Sequence, residues 1–173
     1  YVIGGRNSAG ALTSIYYASI NTDGNILSPW QISLQTIPQA LFGATAAIYE
    51  QGTIPYLYIM AVRNSDNIGQ KTVYDAVINP ATGDVGAWQT AANSLPQGLL
   101  SPTSAFYQSS RNPYIYVVGG QDNQYTMSAT TYYAAINPAT GNVGAWQTAA
   151  NNLPLGINKA ASVLFQAENA AYI

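Results

Sequence analysis

The chain has 173 residues, with five Lys or Arg against seven Asp or Glu, and neither His nor Cys. A net charge of −2 with no basic stripe argues against nucleic acid as a partner, and the missing Cys excludes disulfides and thiolate metal sites. No apolar run is long enough for a membrane span; polarity comes from Asn, Gln, Ser, Thr and fourteen Tyr, a composition common in secreted and cell-surface proteins that meet neutral, hydroxyl-rich ligands.

From the N-terminus, YVIGGRN (1 to 7) is a short apolar run closed by small and polar residues, which reads as a strand entering a loop. SIYYASI (14 to 20) is a second strand, rich in Tyr and β-branched residues. The turn NTDGN follows, where Gly supplies a positive φ and Asn or Asp bonds its own backbone. The third strand is ILSPWQIS (26 to 33), and Pro29 immediately before Trp30 offers no ladder donor, so this strand belongs at a sheet edge. After Ile37 and Pro38 comes LFGATAAIYE (41 to 50), small in the middle and bulky at its ends, as strands crowded about a central axis require.

The same four runs then recur. YIMAVRN (58 to 64) and YVVGGQD (116 to 122) echo the first run, and TVYDAVI (72 to 78) and TYYAAI (131 to 136) echo the second, which places Tyr16, Tyr74 and Tyr132 in one column. VGAWQTAA occurs twice, followed by LLSPTSAFYQ (99 to 108) and INKAASVLFQ (157 to 166). Asn21, Asn79 and Asn137, Trp30, Trp88 and Trp146, and Pro38, Pro96 and Pro154 all keep a step of 58, and Ile78 to Gly98 matches Ile136 to Gly156 at 18 of 21 positions. A fixed period of this size denotes a solenoid, a propeller or an array, and each unit is too small to bury a satisfactory core alone.

The expected architecture is therefore all-β: a β-propeller of four-stranded blades, three of them in this chain. The 173 residues form a single segment with repeats at about 1 to 57, 58 to 115 and 116 to 173, cut within a strand. Three tandem small domains are the rival, but no linker-like run separates the units. Three blades cannot close a ring of the usual four to eight, so the segment is expected to be half of a six-bladed ring, completed by further blades of the same protein or by a second copy in a homodimer. Tyr172 and Ile173 followed by Tyr1 to Gly5 would spell YIYVIGG, close to YIYVVGG at 114 to 120. The tail of one copy is thus expected to be the missing start of another copy's first strand.

The Gly-Gly closing YVIGG and YVVGG, the turn Gly, the Trp strand and the Leu-Pro after it stand in an order that resembles the kelch family, over essentially the whole chain. Two features depart from it: Ala61 and Val62 replace the second Gly-Gly, and the period exceeds the roughly 50 residues usual for kelch. The resemblance implies that the Ala/Thr/Ser strand is innermost and the Trp strand outermost.

Kelch-like propellers include copper enzymes of the galactose-oxidase type, whose site needs His ligands and a Tyr-Cys cofactor that this chain cannot supply. A Ser-His-Asp triad fails for want of a base. Paired carboxyls for glycoside hydrolysis are not evident among Asp23, Glu50, Asp66, Asp75, Asp84, Asp122 and Glu168, which scatter along the repeats. No catalytic residue, metal or cofactor is implied. Asp75 replaces the Tyr found at Tyr17 and Tyr133 and reads as the exposed face of its strand.

Trp30, Trp88 and Trp146 are expected to be structural, packing repeat against repeat, with sugar stacking as the alternative. Candidate ligand-binding residues gather where the repeats differ, after the YVxGG strand: Arg6 and Asn7, then Arg63, Asn64, Asp66 and Asn67, then Gln121, Asp122 and Asn123. The Leu-Pro loop with Gln35, Asn93 and Asn151 should share their face. A Ca²⁺ cage from these oxygens would lack the expected spacing. The expected function is that of a non-catalytic extracellular or cell-surface β-propeller, a structural or protein-interaction scaffold; the alternative is a lectin-like propeller binding neutral carbohydrate.

Overall fold

A computed structural model describes residues 1–109, 111–167 and 170–173, so Glu168, one of the carboxylates considered above, lies outside the described residues. Among the described residues the chain is all-β, and no helix is long and apolar enough to cross a membrane. The first strands are β1 (Val2–Ile3), β2 (Arg6–Asn7), β3 (Gly10–Ala11), β4 (Ile15–Tyr17) and β5 (Gln31–Ile32). They make a three-stranded sheet in the order β1-β4-β5 and a small ribbon, β2-β3. Next come β6 (Thr45–Gln51), β7 (Ile54–Met60), β8 (Tyr74–Val77) and β9 (Gln89–Thr90), which pair in sequence as a four-stranded antiparallel meander. The meander repeats in β10 (Thr103–Gln108), β11 (Pro113–Val118), β12 (Thr131–Ala135) and β13 (Gln147–Thr148). A last hairpin joins β14 (Phe165–Gln166) to β15 (Ala171–Tyr172).

The sheets are phased one strand earlier than a period counted from Tyr1. Each meander begins with the Ala/Thr/Ser strand of one period and takes its other three strands from the next. The reason is chain geometry: the Ala/Thr/Ser strand leads through a short connection, Gly52 and Thr53 in the second sheet, directly into its antiparallel neighbour. The Trp-bearing run lies at a sheet edge in all three sheets, but its ladder is only the Gln-Thr or Gln-Ile pair just after the Trp. Upstream it touches its neighbour through the single bridges Ile20 to Ile26, Ile78 to Val85 and Ile136 to Val143.

The turns follow from their sequences. In NPATGD the Asn79 side chain accepts the Ala81 amide at 2.9 Å, the Gly83 amide donates to the Asn79 carbonyl, and Gly83 sits at φ 75°. NPATGN repeats the arrangement, with Gly141 at φ 73°. Here glycine is needed twice over, because a Cβ on Gly141 would come within 2.5 Å of the Tyr56 ring.

Two hydrophobic cores hold the sheets face to face, and they are one core shifted by a repeat. Ile15, Ile37 and Leu41 meet Leu57, Ile59, Tyr74, Ala76, Ile78 and Val85 between the first and second sheets. Val73, Leu95 and Leu99 meet Ile115, Val117, Tyr132, Ala134, Ile136 and Val143 between the second and third. Every residue in the second set stands 58 positions after its counterpart in the first. The middle sheet is thus buried on both faces. Along β7, Leu57 and Ile59 turn to one core while Tyr58 and Met60 turn to the other, which is why IPYLYIM is a continuous apolar run and not an alternating one. Each fully buried Leu or Ile contributes about 1.5–3 kcal/mol.

The Ala/Thr/Ser strands β6 and β10 run beside one another, and no comparable contact among the described residues joins β9 to β13. Hydroxyls stitch these small-residue strands together. Thr45 Oγ1 donates to Ser104 Oγ, which bonds the Ala46 carbonyl at 3.1 Å. One repeat on, Thr103 and Ser162 share a 2.6 Å bond and Ser162 Oγ donates to the Ser104 carbonyl at 2.8 Å. Small hydroxylated side chains permit close approach and satisfy each other's polar groups.

Candidate functional site

In all three repeats an Asn or Asp oxygen closes the loop after the YVxGG strand, but the first loop is a tighter hairpin that pairs Asn7 with Gly10, whereas the second and third close over four residues, Asn64 to Ile68 and Asp122 to Thr126. Asn7 accepts the Ala9 amide at 2.8 Å, Asn64 accepts the Ile68 amide at 2.8 Å, and Asp122 accepts the amides of Gln124 at 2.9 Å and Thr126 at 2.8 Å. These oxygens close local turns, the usual behaviour of Asn and Asp. Asn123 spans to the preceding repeat, accepting the Gly69 amide at 2.7 Å and donating to the Gly69 carbonyl at 3.1 Å. Asp66 is exposed, and Asn67, at φ 68°, donates to the Tyr125 hydroxyl at 3.2 Å. The Leu-Pro loop does meet this loop: Gly98 lies so close to the Gly69 carbonyl that an added Cβ would stand 2.1 Å from it.

Two candidates are brought together by a residue that sequence reasoning passed over. The guanidinium carbons of Arg6 and Arg63 lie 5.5 Å and 5.0 Å from the centroid of the Phe42 ring. Such contacts are worth about 0.5–1 kcal/mol each when exposed. Phe42 and Arg63 are also bridged backbone to backbone, and Arg63 Nε is buried without a hydrogen-bond partner among the described residues. The available signal was the bulky end of LFGATAAIYE, next to the strand that turned out to begin the sheet.

Clefts open at the junctions between sheets. The first, of about 740 Å³, has Tyr17, Gln35, Pro80 and Asp84 in its wall. Asp84 is structural there: it accepts the Ser33 hydroxyl at 2.5 Å and the Leu34 amide at 3.3 Å, fastening the first sheet to the second. The next, of about 300 Å³, is lined by Asp75, Gln89, Asn93 and Asn142. Asn93 crosses it, donating to the Val143 carbonyl at 2.9 Å and accepting Trp146 Nε1 at 3.3 Å. A third, of about 540 Å³, has Tyr107, Tyr116, Asn151 and Ile173 in its wall. Gln35, Asn93 and Asn151 thus occupy successive clefts, as their common step of 58 suggests.

Asp75 is not on a fully solvated face. It pairs across the ladder with Tyr58, and burial pushes its carboxyl above the usual Asp range. Burial first, and the Asp75 charge second, push the Tyr58 phenol far above its ordinary value. The Tyr58 hydroxyl is therefore always a donor, and it reaches the Gly141 carbonyl of the third sheet at 2.5 Å. Tyr1 makes the same bond to the Gly83 carbonyl of the second sheet at 2.6 Å.

Trp88 packs against the first core and Trp146 against the second, while Trp30 is half exposed. Among the described residues no group of three or more Asp or Glu converges on a point where a metal ion could sit. The chain matches no family model and no curated protein.

Proposed function

We propose that this chain is a segment of a kelch-like β-propeller that serves, outside the cell or at its surface, as a non-catalytic scaffold for protein assembly. One observation carries the reading. Both junctions between sheets are built by the same repeat positions, with the same tyrosine-to-glycine-carbonyl bond across each. A unit that docks on its successor in the same way each time generates a series, and close inner strands with separated outer edges turn a series into an arc. The polar residues that vary between repeats are largely occupied in closing their own loops. Further blades, from the same protein or a second copy, complete the arc to a six-bladed ring.

Trp88 and Trp146 contribute to cores, so sugar stacking on a Trp column is not the reading preferred. A neutral-glycan array tests the choice. A scaffold gives no sugar-inhibitable binding, whereas binding abolished by a free monosaccharide overturns the scaffold in favour of a lectin.

A further inference from the structure

The junction between the second and third sheets departs from the first where charged and hydroxyl groups meet. Asp84, which holds Ser33 and Leu34 across the first junction, has Asn142 as its counterpart one repeat on, and Ser33 has Ala91. That fastening of carboxylate to hydroxyl is gone from the second junction, where Asn93 ties the sheets through the Val143 carbonyl and Trp146 Nε1. A carboxylate is present all the same, on the opposite wall. Asp75 stands where the first and third sheets have Tyr17 and Tyr133.

Asp75 opens on the cleft of about 300 Å³ whose wall also holds Gln89 and Asn142. Every residue lining it lies between positions 75 and 143, on two sheets that each have all four strands. Gln89 is the ladder partner of Asp75. In the third sheet the same pair is Tyr133 and Gln147, and the Tyr133 hydroxyl donates to Gln147 Oε1 at 2.8 Å. An ionised Asp75 has no proton to give, so Gln89 lacks that donor. Among the described residues the side chains of Asp75, Gln89 and Asn142 make no hydrogen bond with one another or with any neighbour. Burial pushes the Asp75 carboxyl up, and no Lys, Arg or amide among the described residues offsets the rise. Ala92 and Val143 make part of the apolar wall, and no aromatic ring lines it.

We propose that this cleft is a binding site for an alkylammonium group, with Asp75 as the charge partner, Gln89 and Asn142 as amide acceptors, and Ala92 and Val143 beside the alkyl stem. An ammonium brings three donors and no acceptor, and the cleft offers one unpaired carboxylate with two amide oxygens in reach of the same space. A neutral sugar would leave the carboxylate charge unbalanced and would find no aromatic face to stack on. A divalent cation would meet a single carboxylate. The inference rests on this cleft and not on ring closure or on the setting outside the cell. Two sources carry the same head group, a lysine side chain of a partner protein and a small amine in solution.

The test is a titration of the ¹⁵N-labelled 173-residue chain with n-butylammonium chloride, read at the side-chain amide resonances of Gln89 and Asn142. Saturable shifts of both are expected, with none from sodium chloride, calcium chloride or glucose. Asp75→Asn keeps the shape of the site and removes its charge, so binding should weaken at least about tenfold, the usual loss when a charged hydrogen bond goes. Asp75→Tyr restores the residue of the other two repeats and should abolish the shifts; it carries the comparison if the backbone spectrum shows Asp75→Asn misfolded. Absence of saturable shifts, equal shifts from calcium chloride or glucose, or undiminished binding in the folded variants overturns the proposal. N-acetyl-lysine methylamide separates the sources. Its binding as tightly as butylammonium assigns the head group to a lysine of a partner polypeptide; its refusal by a cleft that takes butylammonium assigns a small amine, and either result upholds the ammonium site.

Discussion

Tyr58→Phe isolates the bond that ties the second sheet to the third. The ring of Tyr58 is fully buried, its hydroxyl meets the Gly141 carbonyl at 2.5 Å, and Gly141 is itself buried, so water cannot replace the lost donor. Leaving a buried acceptor unpaired costs about 1–3 kcal/mol. In a chain of this length each kcal/mol moves the midpoint by about 2–4 °C, so Tm should fall by about 2–12 °C. Tyr1→Phe removes the equivalent bond to Gly83, but Tyr1 is exposed and water can take its place. That variant should stay within about 0.5 kcal/mol of the parent. Thermal unfolding followed by circular dichroism compares them. Equal losses in the two variants, or no loss in Tyr58→Phe, would refute the claim that this repeated bond becomes structural where it is buried.

The tryptophans should separate under substitution by Phe: both variants lose packing, but Trp146→Phe also loses the bond to Asn93, whereas Trp88 Nε1 is buried without a partner among the described residues, so Trp88→Phe should be less destabilising than Trp146→Phe by about 1 kcal/mol, as denaturant midpoints would reveal. Asp75 has a folded pKa above its unfolded one, so it binds more protons when folded and lowers stability as pH rises from the unfolded Asp range through the folded value. Asp75→Asn should therefore stabilise the chain at neutral pH and remove that slope, read by unfolding at a series of pH values; a parent curve that instead rises with pH across this window would contradict the burial of Asp75. Gly141→Ala imposes a left-handed backbone on alanine and presses a methyl on the Tyr56 ring, so the urea midpoint should fall by at least about 1–2 kcal/mol equivalent with an unchanged slope.

Much of the fold is legible in the sequence because the repeat is written twice almost unchanged. Ile78 to Gly98 and Ile136 to Gly156 specify the same Asx turn, the same edge and the same core positions, and Pro29 alone argues for the edge. What composition conceals is phase. Nothing in YVIGG says that its partner precedes it, because pairing is set by the short turn at Gly52 and Thr53 and not by the apolar run. The glycine pair is similarly half legible. Ala61 keeps the left-handed conformation of Gly4 and Gly119, at φ 50°, while Val62 does not share the positive φ of Gly5 and Gly120. One of the two positions therefore demands the conformation in every repeat, and the other does not. At the candidate site, side-chain type pointed to Arg6 and Arg63, but their meeting at Phe42 depends on a bridge between segments 21 residues apart, which no local pattern encodes. The polarity of Asp75 suggests a solvent-facing position, but the structure leaves it half-buried: Tyr74 and Ala76 turn to the first core, while Asp75 and the exposed Val77 share the opposite face of the strand.

The claim that the repeats fan about an axis is tested most directly by two spin-label distances. Labels on Ala46 and Ser104 mark the inner strands of neighbouring sheets, and labels on Gln89 and Gln147 mark their Trp-side edges; each pair is separated by 58 residues, and the chain contributes no Cys of its own. Double electron–electron resonance should find the outer pair farther apart than the inner pair by more than the roughly 5 Å that separates adjacent strands. Equal distances would describe a parallel stack of sheets and contradict a radial series.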